Sequence, residues 1–227
     1  MKRAEMAVPA AYDFAPPRHR SAGRLDAARV ADIVARAAII VLFSFMAIRF
    51  GADFLSTGAM TGLLLLVSEA LVVVLTVLRR SAATVDRSVR ARLLTALSML
   101  GPPLLQPSHL TALLPQAVTV GASAVGLAIV IAGKMTLGRS FGLMPANRGV
   151  VSSGVYRIVR HPIYLGYLIT HVAFLLAAPS AWNVAALLAA DSALLARAVC
   201  EEQTLSRDDR YREYQQSVRW RVCPGVF

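Results

Sequence analysis

Two clusters of ionisable residues stand in this chain where an apolar sequence has no need of them. The first lies in "GVYRIVRHPIYLGYLI", Gly154 to Ile169, where Arg157, Arg160 and His161 abut an apolar run. Charged groups are costly in hydrocarbon and normally sit at the water interface. Proline is favoured at the first helical position, and the residue before it is pushed out of the α region, so Pro162 predicts a helix start with His161 at the N-cap. The unpaired first-turn amides and the dipole of such a helix favour an anion. Gly166, one turn in, lets a ligand or another backbone approach closely. The second cluster opens "RAVCEEQTLSRDDRYREYQQSVRWRVCPGVF", where Glu201 and Glu202 stand at the exit of a further apolar run. Acidic groups at a helix C-terminus oppose the macrodipole, a conflict that a cationic ligand would remove. Plainer accounts exist for both clusters: snorkelling arginines with interfacial Tyr164 and Tyr167 for the first, and a solvated face with an Arg197–Glu201 i,i+4 pair for the second.

The elements that must position these groups are read from hydropathy. Of 227 residues, 56% are hydrophobic and 16% charged, with a mean hydropathy of +0.57, a balance that predicts an integral membrane protein rather than a soluble domain. Six apolar runs can be marked: Ile33 to Phe50, Met60 to Leu78, Leu93 to Leu114, Gln116 to Gly133, Ile163 to Ala178 and Trp182 to Val199. Each is near the roughly 17 to 25 residues a spanning helix needs. The third carries Gly101, Pro102, Pro103 and Pro107 and is expected to be kinked or re-entrant. The expected fold is therefore all-α, a multi-pass membrane protein of about five to six transmembrane helices with a cytoplasm-facing C-terminal catalytic region. Residues 1–30 form a cytoplasmic arm, 31–133 the N-terminal transmembrane helices, and 134–227 the catalytic region with the last transmembrane helices.

The net charge of +11 does not indicate nucleic acid, because the basic residues fall between apolar runs rather than on a solvated face. Of the 24 Lys and Arg residues, six precede the first run, five lie from Arg79 to Arg92, five from Lys134 to Arg160 and six from Arg197 onward. The alternate connections, around Asp53, Pro107 and Pro179, are nearly devoid of them, so both termini and every basic loop are expected in the cytoplasm. The N-terminal residues show no signal peptide. Cys200 and Cys223 have neither CxxC spacing nor a neighbouring His, so no metal site and no disulfide framework is indicated.

"SSGVYRIVRHPIYLGY", followed about 35 residues later by "EEQTLSRDDRYREYQQSV" and a closing "CPGVF", resembles the isoprenylcysteine carboxyl methyltransferase family and its bacterial relatives, including phospholipid methyltransferases. The resemblance covers roughly Leu137 to Phe227. It implies a membrane enzyme using S-adenosylmethionine, bound on the cytoplasmic side between the Arg-His-Pro loop and the Glu-Glu helix. Tyr156, Arg160, His161, Pro162, Tyr164, Gly166, Glu201 and Glu202 are then the implied cofactor pocket. Glu202 and either Arg219 or Arg221 are the implied catalytic groups, the arginine meeting the acceptor. The tract "LSRDDRYREY" lacks the Phe-Gly often seen before its first tyrosine, and "SVRWRVCPG" is one residue longer than many bacterial versions, which leaves both arginines open. Through its bacterial relatives the resemblance also implies residence in a bacterial inner membrane.

The chemistry of such a cofactor suits these residues. S-adenosylmethionine needs an anion-binding end, a carboxylate for its ammonium or ribose hydroxyls, and apolar walls. The helix start at Pro162 with His161 serves the first, Glu201 and Glu202 the second, and Leu143, Tyr164, Leu165 or Leu205 the third. No G-x-G-x-x-G follows a strand, so the cofactor must bind within the helical assembly. The expected partner is a lipophilic acceptor from the bilayer: a carboxylate held by arginine, a phospholipid amine for which Glu202 or His161 would take a proton, or a thiol. An NADPH-dependent membrane reductase of the sterol type is the alternative enzyme. Glu69 and Asp191 are acids inside spans, and His171 can pair with either; such residues are interhelical hydrogen-bonders or line the acceptor's path.

Overall fold

A computed structural model describes residues 22–67, 70, 84–85, 88–108, 110–140, 146–147 and 149–227. Outside them lie Leu143, Glu69 and residues 79–83, 86 and 87 of the arginine-rich stretch 79–92. The chain divides into two compact units, Met1–Ile40 and Val41–Phe227. Of the first, the described part is the opening of α1 (Ala22–Thr57), so helix begins inside the expected N-terminal arm.

The second unit carries the remainder of α1, helical residues 60–67, α2 (Val89–Leu104), α3 (Gln116–Leu137), α4 (Pro162–Ala177), α5 (Ala181–Leu205) and α6 (Asp209–Ser217). Extended structure among the described residues is a two-residue antiparallel pair, Thr84–Val85 with Ala146–Asn147. Three stretches are long and apolar enough to cross a membrane, Ile40–Thr57, Gln116–Leu137 and Ala181–Leu205, and α4 is a shorter apolar helix. Large apolar side chains point outward along them, among them Phe45, Ile48, Val125 and Leu188. Water would penalise that surface, and a bilayer does not. These features fit a helical membrane protein; the expected second span, residues 60–78, lies partly outside the described residues.

The third apolar run does not continue as helix to Leu114. Helix α2 stops at Leu104 because Pro102 and Pro103 lack donors, and Leu105 turns extended. The carbonyls left without helical partners find others: Pro102 O accepts from Leu105 N, Pro103 O from Arg49, and Leu104 O from Trp182 Nε1 at 2.8 Å. Beyond them Asn183, fully buried, fastens the segment by exchanging hydrogen bonds with the backbone of Gln106 at 2.8 and 3.0 Å.

Helices α3 and α4 pack through glycines. A Cβ on Gly166 would stand 2.6 Å from Gly126 O and 2.6 Å from Val130 Cγ2, and one on Gly126 would stand 2.5 Å from Thr170 Oγ1. With no hydrophobic driving force between helices in lipid, such backbone proximity supplies the van der Waals contact that holds them. Helices α4 and α5 form a hairpin through residues 178–180, so the start of α4 and the end of α5 share one end of the molecule.

Candidate functional site at the open end of the helical hairpin

The hairpin brings His161, at the N-cap of α4, to Glu201 and Glu202 in the last turns of α5. Its Nδ1 lies 3.7 Å from Glu201 Oε2, and its Nε2 lies 3.3 Å from Glu202 Oε1 without hydrogen-bond alignment. The ring makes no cap to the helix amides and stacks on Tyr164 with centroids 5.2 Å apart. The anion-binding and carboxylate ends that the sequence suggested as separate thus meet in one cluster.

The two carboxylates differ in their surroundings. Glu202 is 4% exposed and accepts from Arg160 Nε at 2.8 Å, Arg160 Nη2 at 3.4 Å, Arg221 Nε at 2.8 Å and Gln215 Nε2 at 3.3 Å. Protein donors reach both its oxygens, one on Oε1 and three on Oε2. Glu201 is half-buried and is held through Oε1 alone, by Tyr164 Oη at 2.7 Å and Arg197 Nε at 3.0 Å. Oε2 has only the longer His161 contact and is the carboxylate oxygen of the pair that accepts no hydrogen bond from the described residues. The Arg197–Glu201 pair is the i,i+4 pair that spacing predicted, and the guanidinium also lies 5.5 Å from the Tyr164 ring centroid, a cation–π contact the spacing did not reveal.

Arg160 fastens the C-terminal tail. Its Nη1 donates to Val218 O at 2.8 Å and Arg219 O at 3.2 Å, while the backbone amides of Arg160 and His161 donate to Trp220 O and Arg221 O at 2.9 and 2.7 Å. Arg221 is thereby carried to Glu202. Arg219 is exposed and lies over the Trp220 ring, 4.8 Å from its centroid. Of the two arginines left open by the sequence, Arg221 borders the cluster.

Tyr156 lies in a neighbouring aromatic nest with Tyr211, Tyr214 and Val218, against which Leu205 packs. Tyr214 Oη donates to Tyr156 O at 2.7 Å. Burial pushes the phenols of Tyr156, Tyr211 and Tyr214 above their ordinary range, and the Glu201 charge raises Tyr156 further. They remain neutral and shape the wall under the tail. Pro162 is buried against α3, Gly166 lies at the α3–α4 contact, and Arg157 is exposed. Leu165 joins the main apolar core. Deeper in the hairpin His171 Nδ1 and Asp191 Oδ1 are 2.7 Å apart, joining α4 to α5. Cys200 and Cys223 are free thiols.

Chemically, three guanidinium groups, two carboxylates and one imidazole converge here. The three guanidinium and two carboxylate charges leave one positive charge over, which suits an anionic group, while Glu201 Oε2 suits a hydroxyl or an ammonium.

Residues 119–207 match the sequence model of the isoprenylcysteine carboxyl methyltransferase (ICMT) family. The resemblance read from the motifs holds on that stretch, which contains Tyr156, the Arg-His-Pro turn and both glutamates, and which ends before Arg219 and Arg221. A search of curated proteins found no match.

Proposed function

We propose that the chain is a membrane methyltransferase that takes its methyl group from S-adenosylmethionine and passes it, at the cytoplasmic face, to a lipophilic acceptor bearing a carboxylate. The observation that carries this reading is the unequal pair of carboxylates at the open end of the α4–α5 hairpin, inside the family-matched stretch. The residues fit the cofactor by the chemistry of their donors. Glu201 Oε2 would take its ribose hydroxyls or ammonium, and the surplus positive charge about Arg221 its carboxylate; Tyr164 and His161 supply flat apolar faces. Bound, S-adenosylmethionine supplies an electrophilic methyl group and a neutral sulfide as leaving group.

The protein's own share is positioning. An ionised carboxylate has no proton to lose, so no base is needed, and alignment in a water-poor site provides the acceleration. Arg221 is tied to Glu202 through Nε and its side chain is 36% exposed, so the guanidinium has an outer edge for the acceptor. Glu202, held by Arg160, fixes that guanidinium in place. Tyr164 and Arg197 hold Glu201 in the same way.

A thermal-shift comparison tests the reading. S-adenosylhomocysteine should raise the melting temperature of the purified protein while NADPH leaves it unchanged. Stabilisation by NADPH alone would replace this reading with a reductase.

A further inference from the structure

The segment after Arg221 folds into a closed turn that the proposed chemistry has not yet used. Val222 N and Cys223 N donate to Phe227 O at 2.9 and 3.0 Å, and Phe227 N donates back to Cys223 O at 3.0 Å. Val226 N donates to Cys223 O at 3.1 Å, which closes a turn over Cys223, Pro224, Gly225 and Val226. Proline in its second place and a glycine with φ +82° in its third are the pattern of a type II turn. Val222 is fully buried, and Phe227 packs against the main apolar core. The turn thereby delivers the Phe227 ring to one place. Over that ring stands the Arg221 guanidinium, its Cζ 5.0 Å from the centroid.

The kind of contact decides what Arg221 can still do. A guanidinium carries five N–H donors in its plane, and here Nε is given to Glu202 Oε2 at 2.8 Å. Nη1 and Nη2 have no hydrogen-bond partner among the described residues. A second carboxylate or a carbonyl holding the group would occupy those donors. An aromatic ring instead attracts the cation through its quadrupole and leaves the donors to a ligand. The group is thus held by Glu202 at Nε and by the Phe227 ring, and its side chain is 36% exposed. Two Nη groups kept in one plane match the two oxygens of a carboxylate. Arg219 is the contrast. Its ring partner, Trp220, is merely the next residue, and no carboxylate among the described residues ties its guanidinium.

We propose that Phe227 is the positioning residue of acceptor binding: its ring holds the Arg221 guanidinium so that both Nη groups face the carboxylate of an apolar-chain molecule. The assignment rests on the proposed methyl transfer for what that molecule is, the methyl acceptor.

The test uses full-length protein in uncharged micelles with ¹⁵N-labelled arginine, the Arg221 Nε–H signal being assigned by its loss in Arg221→Lys. Titration with dodecanoate should shift that signal saturably in the wild type, and dodecanol, the same chain without the charge, should not. Phe227→Leu keeps apolar bulk against the core and removes the ring. It should need roughly 2-fold to 30-fold more dodecanoate, the range a cation–π contact is worth, with S-adenosylhomocysteine affinity retained. Phe227→Tyr, which keeps the ring, should restore the wild-type midpoint. Trifluorophenylalanine at position 227 keeps the ring's shape and weakens its quadrupole, so it should shift the midpoint as leucine does and decides the matter if Phe227→Leu does not fold. Equal midpoints in the wild type and the trifluorophenylalanine variant, or no response of the wild-type signal to dodecanoate, overturns the proposal. Because the titration contains no methyl donor, it judges the hold of Phe227 on Arg221 by itself. Absence of S-adenosylhomocysteine binding to the wild type would instead overturn the methyltransferase reading, and with it the identity of the carboxylate as an acceptor's.

Discussion

Helix α4 presents two sides of opposite character. Toward α3 it offers Gly166 and Thr170, and the neighbouring backbone comes so near that a single methyl group has no room. Toward α5 it offers His161, Tyr164 and His171, and each meets a carboxylate of that helix. The first side fixes where the helix is, and the second uses that position. A polar cluster whose distances matter to a few tenths of an ångström must rest on a contact with no slack, and small residues in lipid provide one.

Breaking the polar side should cost more than crowding the packed side. Arg160→Ala leaves Glu202 short of its two-nitrogen partner and frees the carbonyls of Val218 and Arg219. Removing one partner of a buried pair typically costs about 3 to 5 kcal/mol. We expect a fall of that size in unfolding stability, together with protease sensitivity after Ser217. The arginines of the tail sharpen the comparison next. Arg221→Lys should lower methyl transfer to a carboxylate acceptor by roughly 30-fold to several thousand-fold with S-adenosylhomocysteine affinity retained, because lysine cannot reproduce a planar two-bond clamp. Arg219→Lys should change the rate little, since Arg219 stands outside the cluster on Trp220. Parental rates for both variants in a tritiated-methyl assay would point to an amine or thiol acceptor.

On the packed side, Gly166→Ala should lower stability by about 1 to 3 kcal/mol through overpacking, read as a drop in melting temperature. The smallest effect concerns pH. The Tyr156, Tyr211 and Tyr214 phenols are raised by burial, so their contribution is complete below the ordinary tyrosine range near 10 and declines as pH rises past it, where the unfolded chain ionises first. Melting temperature should be flat on this account up to about pH 9.5 and fall above it. Tyr214→Phe should reduce the slope.

What could be read from sequence here was what is local in sequence. Pro162 announces a helix start with His161 before it, and the Arg197–Glu201 spacing announces its own ion pair, because three to four residues of helix fix both geometries. Hydropathy found the segments that became α1, α3, α4 and α5. It overran α2, since apolar residues after Pro103 look helical to a hydropathy count while the prolines end the backbone ladder. The partners of Arg160 lie 42 to 59 residues away along the chain, and no periodicity reports them. Gly166 illustrates the same limit. Its sequence reading left ligand and backbone as equal candidates, and the structure gives the approach to the backbone of α3. The division of labour between Glu201 and Glu202 was likewise invisible in two adjacent identical letters, being set by Tyr164 and Arg197 for the one and by Arg160, Gln215 and Arg221 for the other.

The central claim is that the open end of the α4–α5 hairpin is the cofactor site and that Glu201, whose Oε2 accepts no hydrogen bond from the described residues, faces the cofactor there. Calorimetric titration of S-adenosylhomocysteine into the wild type, Glu201→Gln and Asp191→Asn tests it most directly. The account predicts one site on the wild type, at least roughly tenfold weaker binding to Glu201→Gln from the loss of a charged hydrogen bond, and unchanged affinity in Asp191→Asn. Equal affinity in Glu201→Gln and the wild type, or no binding to the folded wild type, would contradict it.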